Sequence, residues 1–171
     1  MARRFRGEWQ HKVDAKGRVS IPAPFRRALE EGDPDFRDGD NPNLVLVFGR
    51  KNKKCIEGYS IRSMDEVDEM IASLPRYSRD REALERSINT KSSQVQVDEN
   101  GRIVLSARLR QMFGIEKEAM LAGMGDKFQI WSPEAYEADQ AELDEWMAEQ
   151  DDADDPFALL DRARLGAGLG G

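Results

Sequence analysis

Cysteine is almost missing from this chain. Cys55 stands alone, so no disulfide can form within one molecule and thiolate-rich zinc sites are excluded. Histidine is as scarce: His11 is the single imidazole, and any Ser-His-Asp or Cys-His chemistry would have to run through it. No serine sits in a Gly-x-Ser-x-Gly turn, and no Gly-x-x-x-x-Gly-Lys-[Ser/Thr] phosphate loop occurs. The closing glycines, Gly166, Gly168, Gly170 and Gly171, follow no strand and open no helix, which makes them a flexible end rather than a dinucleotide loop. Apolar runs are short, Leu44 to Phe48 among the longest, against the ~20 residues that span a bilayer. The basic start has no apolar stretch behind it, so no secretory signal is expected. Carboxylates are plentiful, but nothing arranges them for acid-base catalysis. The expectation is a soluble cytoplasmic protein, not an enzyme, with no metal, cofactor, membrane or small-molecule substrate.

What is present is unevenly charged. The 171 residues, 39% hydrophobic and 35% charged, suit one domain or two small ones. The formal net charge is −7, which alone argues against a polyanionic partner. Yet residues 134–155 hold eleven acids and no Lys or Arg, so the rest of the chain is net basic. Residues 1–30 carry eight bases (Arg3, Arg4, Arg6, Lys12, Lys16, Arg18, Arg26, Arg27) against Glu8, Asp14 and Glu30. Such asymmetry is read segment by segment. The acidic run reads as a solvated helix face, and the basic head as a candidate polyanion site.

The sequence also repeats itself. Asp14-Ala-Lys-Gly17-Arg18-Val19-Ser-Ile21-Pro-Ala23-Pro-Phe25-Arg26 aligns without gaps on Asp98-Glu-Asn-Gly101-Arg102-Ile103-Val-Leu105-Ser-Ala107-Arg-Leu109-Arg110, at an offset of 84 residues. Solenoid periods run to ~50 residues, so a longer period present twice indicates a duplicated small domain. In each copy a strand (Trp9 to Val13; Gln94 to Val97) meets an Asp-x-x-Gly-Arg turn and a short second strand (Val19 to Ile21; Ile103 to Leu105). A short helix follows, with Phe25, Ala28 and Leu29 at helical spacing in one copy and Leu109, Met112 and Phe113 in the other. Ser106 is the expected N-cap there, Gly114 the stop, and Pro22 or Pro24 fits the first turn of the other helix. Two further strands (Leu44 to Phe48 and Cys55 to Ile61; Ala119 to Ala122 and Phe128 to Trp131) and a helix complete each copy. Ser63-x-x-Glu66 reads as a capping box. Ser132-Pro133 opens the second closing helix, with Tyr136, Leu143, Trp146 and Met147 on one side. Residues 31–43 form an insertion loop, 76–91 a linker helix, and the end of the chain is loose.

The repeated turn has a structural reading: Asp14 and Asp98 accept backbone N–H groups, while Gly17 and Gly101 supply the positive φ of a tight reversal. Arg18 and Arg102 can pair with those carboxylates, but a guanidinium fork also suits phosphate or guanine. Lys16 occupies the tip of the first turn, where the second carries Asn100, and Glu99 stands where the first has Ala15. His11, Lys12 and Arg6 lie on the approach to the first turn. The first turn is therefore better suited to a polyanion. Arg26 and Arg27 on the short helix either contact phosphate or form its exposed face, and the exposed face is the preferred reading.

Phe5-Arg6-Gly7, the two Asp-x-x-Gly-Arg segments and Gly125-Asp-Lys-Phe-Gln-Ile-Trp131 together resemble the MraZ family of bacterial transcription regulators over most of residues 5–147. The resemblance implies a mixed β/α fold: two tandem AbrB-like swapped-hairpin β modules forming a pseudo-dimeric β-barrel core, each followed by helices. The modules would span 8–60 and 91–134, with a helical connector at 61–90, an acidic helix at 135–155 and a flexible tail at 156–171. It implies a ring-like homo-oligomer, cytoplasmic and nucleoid-associated. That oligomer would bind direct repeats in double-stranded promoter DNA of the division and cell-wall gene cluster, including the protein's own promoter. The DNA role carries over to Arg18, with Lys16 beside it, and more weakly to Arg102. The rival reading is an AbrB-type interaction or antitoxin-like module whose acidic C-terminal half captures a basic partner.

Overall fold

The computed structural model describes residues 3–150 and 155–168. It divides into two compact units, one running to Pro133 and one beginning at Glu134. In the first, strands β1 (Glu8–Lys12) and β2 (Arg18–Ser20) lead into helix α1 (Ala23–Glu31), hairpin β3 (Asn43–Val47) and β4 (Ile56–Ser60), and helix α2 (Ile61–Ala72). Helix α3 (Arg79–Leu84) continues as one π-helical turn over Glu85–Asn89 and takes the place of the expected linker helix. The second copy then supplies β5 (Ser92–Gln96), β6 (Arg102–Val104), helix α4 (Ala107–Met112), and hairpin β7 (Glu118–Gly123) and β8 (Phe128–Trp131). The 84-residue offset carries β1 onto β5 and β2 onto β6, residue for residue.

Pairing crosses between the copies. The main sheet is fully antiparallel, in the order β1-β7-β8-β4-β3-β5. Exchanging the two copies leaves that order unchanged. β1 lies on β7 with His11 opposite Ala119, and β5 on β3 with Val95 opposite Leu44. Each copy therefore completes the other's hairpin. The expected closed barrel does not form. Closure would need a ladder joining the two edge strands, but β1 and β5 each end in an Asp-x-x-Gly turn. There Asp14 N donates to Arg18 O at 3.1 Å and Asp98 N to Arg102 O at 2.8 Å. The reversal sends the chain into a separate two-stranded ribbon, β2–β6. The edges stay polar on their outer faces (Gln10, Lys12; Gln94, Gln96), which discourages further strand addition.

The core lies beneath this sheet. Phe25, Ala28 and Leu29 of α1 are buried as their spacing predicts, and Phe25 packs at 5.3, 5.0 and 5.1 Å from the rings of Phe5, Trp9 and Phe128. Edge-to-face and tilted packing at these separations is the favoured aromatic arrangement. In α4 only Leu109 is buried and Met112 is half exposed, so its apolar stripe is narrower than expected. Ser106 caps α4 by accepting Leu109 N at 3.2 Å, as expected. The cap of α2 is Ser60, which accepts Ser63 N at 3.1 Å; Ser63 is the third helical residue and not the cap. The chain leaves β4 in extended conformation at Ser60, so the boundary falls one turn earlier than the capping-box pattern suggests. The insertion loop is organised by buried Asp33, whose carboxylate accepts Asp35 N at 3.0 Å and Asn43 N at 2.9 Å.

The second unit contains α5 (Pro133–Ala148) and α6 (Pro156–Gly166). Leu143 and Trp146 on α5 are about half exposed. A helix occupies part of the tail expected to be loose: Asp155 accepts Phe157 N at 3.0 Å and Pro156 fits the first turn. The expectations for Asp151, Asp152, Asp154, Gly170 and Gly171 fall outside the described residues, while Gly166, expected in a flexible end, is the last residue of α6. Among the described residues no helix is long and apolar enough to cross a membrane.

Candidate nucleic-acid interface

The two Asp-x-x-Gly-Arg turns are built alike. Asp14 Oδ1 accepts the backbone N–H groups of Lys16 at 3.0 Å and Arg18 at 2.9 Å. Asp98 Oδ1 accepts those of Asn100 at 2.8 Å and Arg102 at 3.0 Å. A short carboxylate saturating the amides two and four residues on is the local reason the chain reverses here. Gly17 (φ +83°) and Gly101 (φ +76°) take the left-handed conformation that the reversal needs. Backbone hydrogen bonds, above all that from the arginine amide, hold both carboxyls below the usual carboxylate range. A depressed folded-state pKa gives stability that is present above the ordinary value near 4 and is lost as pH falls through the folded value. Thermal melting from pH 7 to pH 3 is therefore expected to show a loss below about pH 4 that shrinks in an Asp14→Asn, Asp98→Asn double variant. An unchanged acid loss would contradict this role.

The ribbon joins the turns. Val19 faces Ile103, both fully buried, while Arg18 lies opposite Val104 and Ser20 opposite Arg102. Strand alternation puts Arg18, Ser20, Arg102 and Val104 together on the outward face. The two arginines are diagonal neighbours across the ribbon, and Asp14 serves both: its Oδ2 accepts Arg18 Nε at 2.6 Å and lies 3.9 Å from Arg102 Nη1. Arg102 Nε is 3.7 Å from Asp98 Oδ2 and closes no hydrogen bond. Arg18 is thus held by one end of its fork, while Arg102 is stretched between two carboxylates. Among the described residues nothing engages the Nη groups of Arg18 or the ammonium of Lys16, which is exposed at the turn tip.

The remaining expected residues scatter. Lys12 is exposed on the outer face of β1, just before the first turn. His11 faces the opposite way with Trp9, half buried, its Nε2 without a hydrogen-bond partner. Arg6 is not brought to the turn. It precedes β1 next to the bridge of Phe5 with Gly125, ~20 Å back along the strand at ~3.3 Å per residue. Among the described residues no three His, Cys, Asp or Glu side chains group as a metal site.

Sequence reasoning missed a pair of clasps. Arg26, read as exposed, donates from Nη1 to Ile21 O at 2.6 Å and lies against the Gly101 turn of the other copy. Its 84-residue equivalent Arg110 donates from Nε to Leu105 O at 3.0 Å and lies against Gly17. Each short helix thus braces the opposite turn. The recurrence of arginine at this offset was the available signal. Arg26→Ala or Arg110→Ala is expected to cost about 1.5–3 kcal/mol in urea unfolding, the worth of one hydrogen bond from a charged donor; Arg27→Ala, on the exposed face, is expected to cost nothing measurable.

A family model described as "MraZ protein, putative antitoxin-like" matches residues 4–87 and 89–156. A protein from Ruegeria sp. strain TM1040 named "Transcriptional regulator MraZ" is 51% identical over 164 residues, covering 95% of this chain and 98% of that protein. One of the same name from Ruegeria pomeroyi is 49% identical with the same coverage. Another from Acetivibrio thermocellus is 33% identical over 85% of this chain and 95% of its own length.

Proposed function

The chain belongs to the MraZ family, and from that membership we propose that it is a sequence-specific DNA-binding transcription regulator rather than an enzyme. The relatives' name, "Transcriptional regulator MraZ", supports the regulatory role. The observation that carries the DNA contact is the outward face of the β2–β6 ribbon, with Arg18 and Arg102 side by side and Lys16 at its edge. A two-stranded ribbon fits the major groove, and arginine forks there can pair with guanine O6 and N7. In this reading the two copies are AbrB-type modules that exchange strands, which agrees with the crossed pairing of β1 on β7 and β5 on β3. The DNA is double-stranded promoter DNA bearing direct repeats, the protein's own promoter included, and the protein is nucleoid-associated.

A single ribbon offers few cations and would bind weakly. Several identical ribbons in a ring-like homo-oligomer, set along repeated boxes, multiply weak contacts through effective concentration. Screening over ~8 Å at physiological salt limits the repulsion between the acidic segment and the DNA. A gel shift with the fragment upstream of the protein's own gene, against random DNA at matched salt, tests the reading. A clear preference for the promoter is expected, and equal affinity would contradict it.

A second reading has its own support. The acids Glu137, Glu142, Asp144 and Glu145 of α5 are exposed, and the family description includes "antitoxin-like". An acidic C-terminal half that captures a basic partner fits both. Deleting residues 148–171 is expected to leave promoter preference intact with somewhat more non-specific binding; a full-length protein that shows no promoter preference yet captures a basic partner through these acids would favour the rival.

A further inference from the structure

Two residues on the outward face of the ribbon, Ser20 and Val104, take no part in the DNA reading above. Val104 is 54% exposed, on a strand whose neighbouring Ile103 and Leu105 are fully buried. The equivalent position in the other strand is Ser20. The two halves of the ribbon therefore present different chemistry at the same place: Arg18 has an isopropyl group opposite it, and Arg102 has a hydroxyl.

Resting on the DNA reading above, we propose that Val104 is a specificity-determining residue whose side chain packs on the C5-methyl group of a thymine, adjacent to the base contacted by Arg18. The occupant follows from what surrounds the valine. Arg18 and Arg102 occupy the same face and Lys16 its edge, so the patch sits within a cationic surface suited to a nucleic-acid groove. Within the major groove the apolar feature on offer is the thymine methyl, since the other base edges present hydrogen-bond donors and acceptors. A β-branched side chain standing perpendicular to the ribbon reaches the groove floor beside the longer arginine. Ser20 at the matching site gives no such preference, because a hydroxyl accepts either base. The ribbon is thus polarised, and its two ends read different base steps although the turns are copies of each other.

The experiment removes the methyl group from the DNA and the isopropyl group from the protein. Full-length wild-type protein, Val104→Ala and Val104→Ser are titrated against the promoter fragment in its ordinary form and with every thymine replaced by uracil, with a random duplex as reference. For the wild type, uracil substitution is expected to weaken binding by about three- to tenfold, the scale of one buried methyl contact or slightly more. Both variants are expected to show that loss already on the thymine fragment, to lose no more on the uracil fragment, and to keep wild-type affinity for random DNA and wild-type assembled size. Equal uracil penalties in wild type and variants would overturn the assignment, as would unimpaired variants. A change in assembled size would place Val104 in a contact between copies and overturn it too. A wild type without promoter preference would bring down the DNA reading itself, a distinguishable failure.

Discussion

Arg18→Ala is expected to weaken promoter binding by ten- to a hundredfold, the worth of one bidentate arginine–guanine contact of ~1–3 kcal/mol. The substitution removes a fork whose Nη groups no described residue engages, and it releases Asp14, which already lies 3.9 Å from Arg102 Nη1. Asp14 can then draw Arg102 further from the face, which puts the loss toward the upper end of that range. Arg102→Ala is expected to have the smaller direct effect, because that guanidinium is shared between Asp14 and Asp98. Lys16→Ala is expected to weaken promoter and random DNA alike and to lower the salt slope by about one, as a phosphate contact does. Affinities are read with circular dichroism and assembled size, since the arginines also stabilise their turns. Equal losses from Arg18→Ala and Arg102→Ala with assembly intact would show that both ends of the ribbon contribute equally.

The next largest effect concerns the turn glycines, which are alike in conformation but not in surroundings. A Cβ on Gly17 would stand 2.3 Å from the backbone carbonyl of Leu105, whereas one on Gly101 would meet only the Arg26 side chain, at 2.8 Å. Both positions impose the cost of a side chain at positive φ, ~1–2 kcal/mol. At Gly101 the flexible arginine can swing aside. At Gly17 the obstacle is backbone, and Leu105 N donates to Gly17 O at 2.8 Å, so relief of the clash breaks the tie between turn and ribbon. Gly17→Ala is therefore expected to cost about 3–4 kcal/mol in urea unfolding and Gly101→Ala about 1–2 kcal/mol. Matching costs would mean that the ribbon moves freely relative to the first turn.

Much of this arrangement was legible because it is local. The turns are written in Asp, Gly and Arg at fixed spacing, the α4 cap in Ser106, and the inward face of α1 in Phe25, Ala28 and Leu29. What could not be read is what pairs with what. Periodicity identifies β1 and β7 as strands but carries no information that His11 lies opposite Ala119 across more than 100 residues. The open sheet follows from that pairing, whereas the distance of Arg6 from the first turn follows from the length of β1 between them. Arg26 looked exposed because helical spacing gives the face a residue occupies, not that a neighbouring turn rises to meet it. Val104 was hidden for a similar reason: hydrophobic residues in a short strand read as core until the partner strand fixes which of them point outward.

The most direct test is to measure the size of the free protein and then titrate promoter fragments holding one box and several boxes at a series of salt concentrations. An assembled protein should bind the multi-box fragment far more tightly than the single box. Its log–log salt slope should reflect phosphates contacted by several ribbons at once, and both advantages should fall in Arg18→Ala. A monomer that binds one box as tightly as several, or a slope no steeper than for random DNA, would contradict the account.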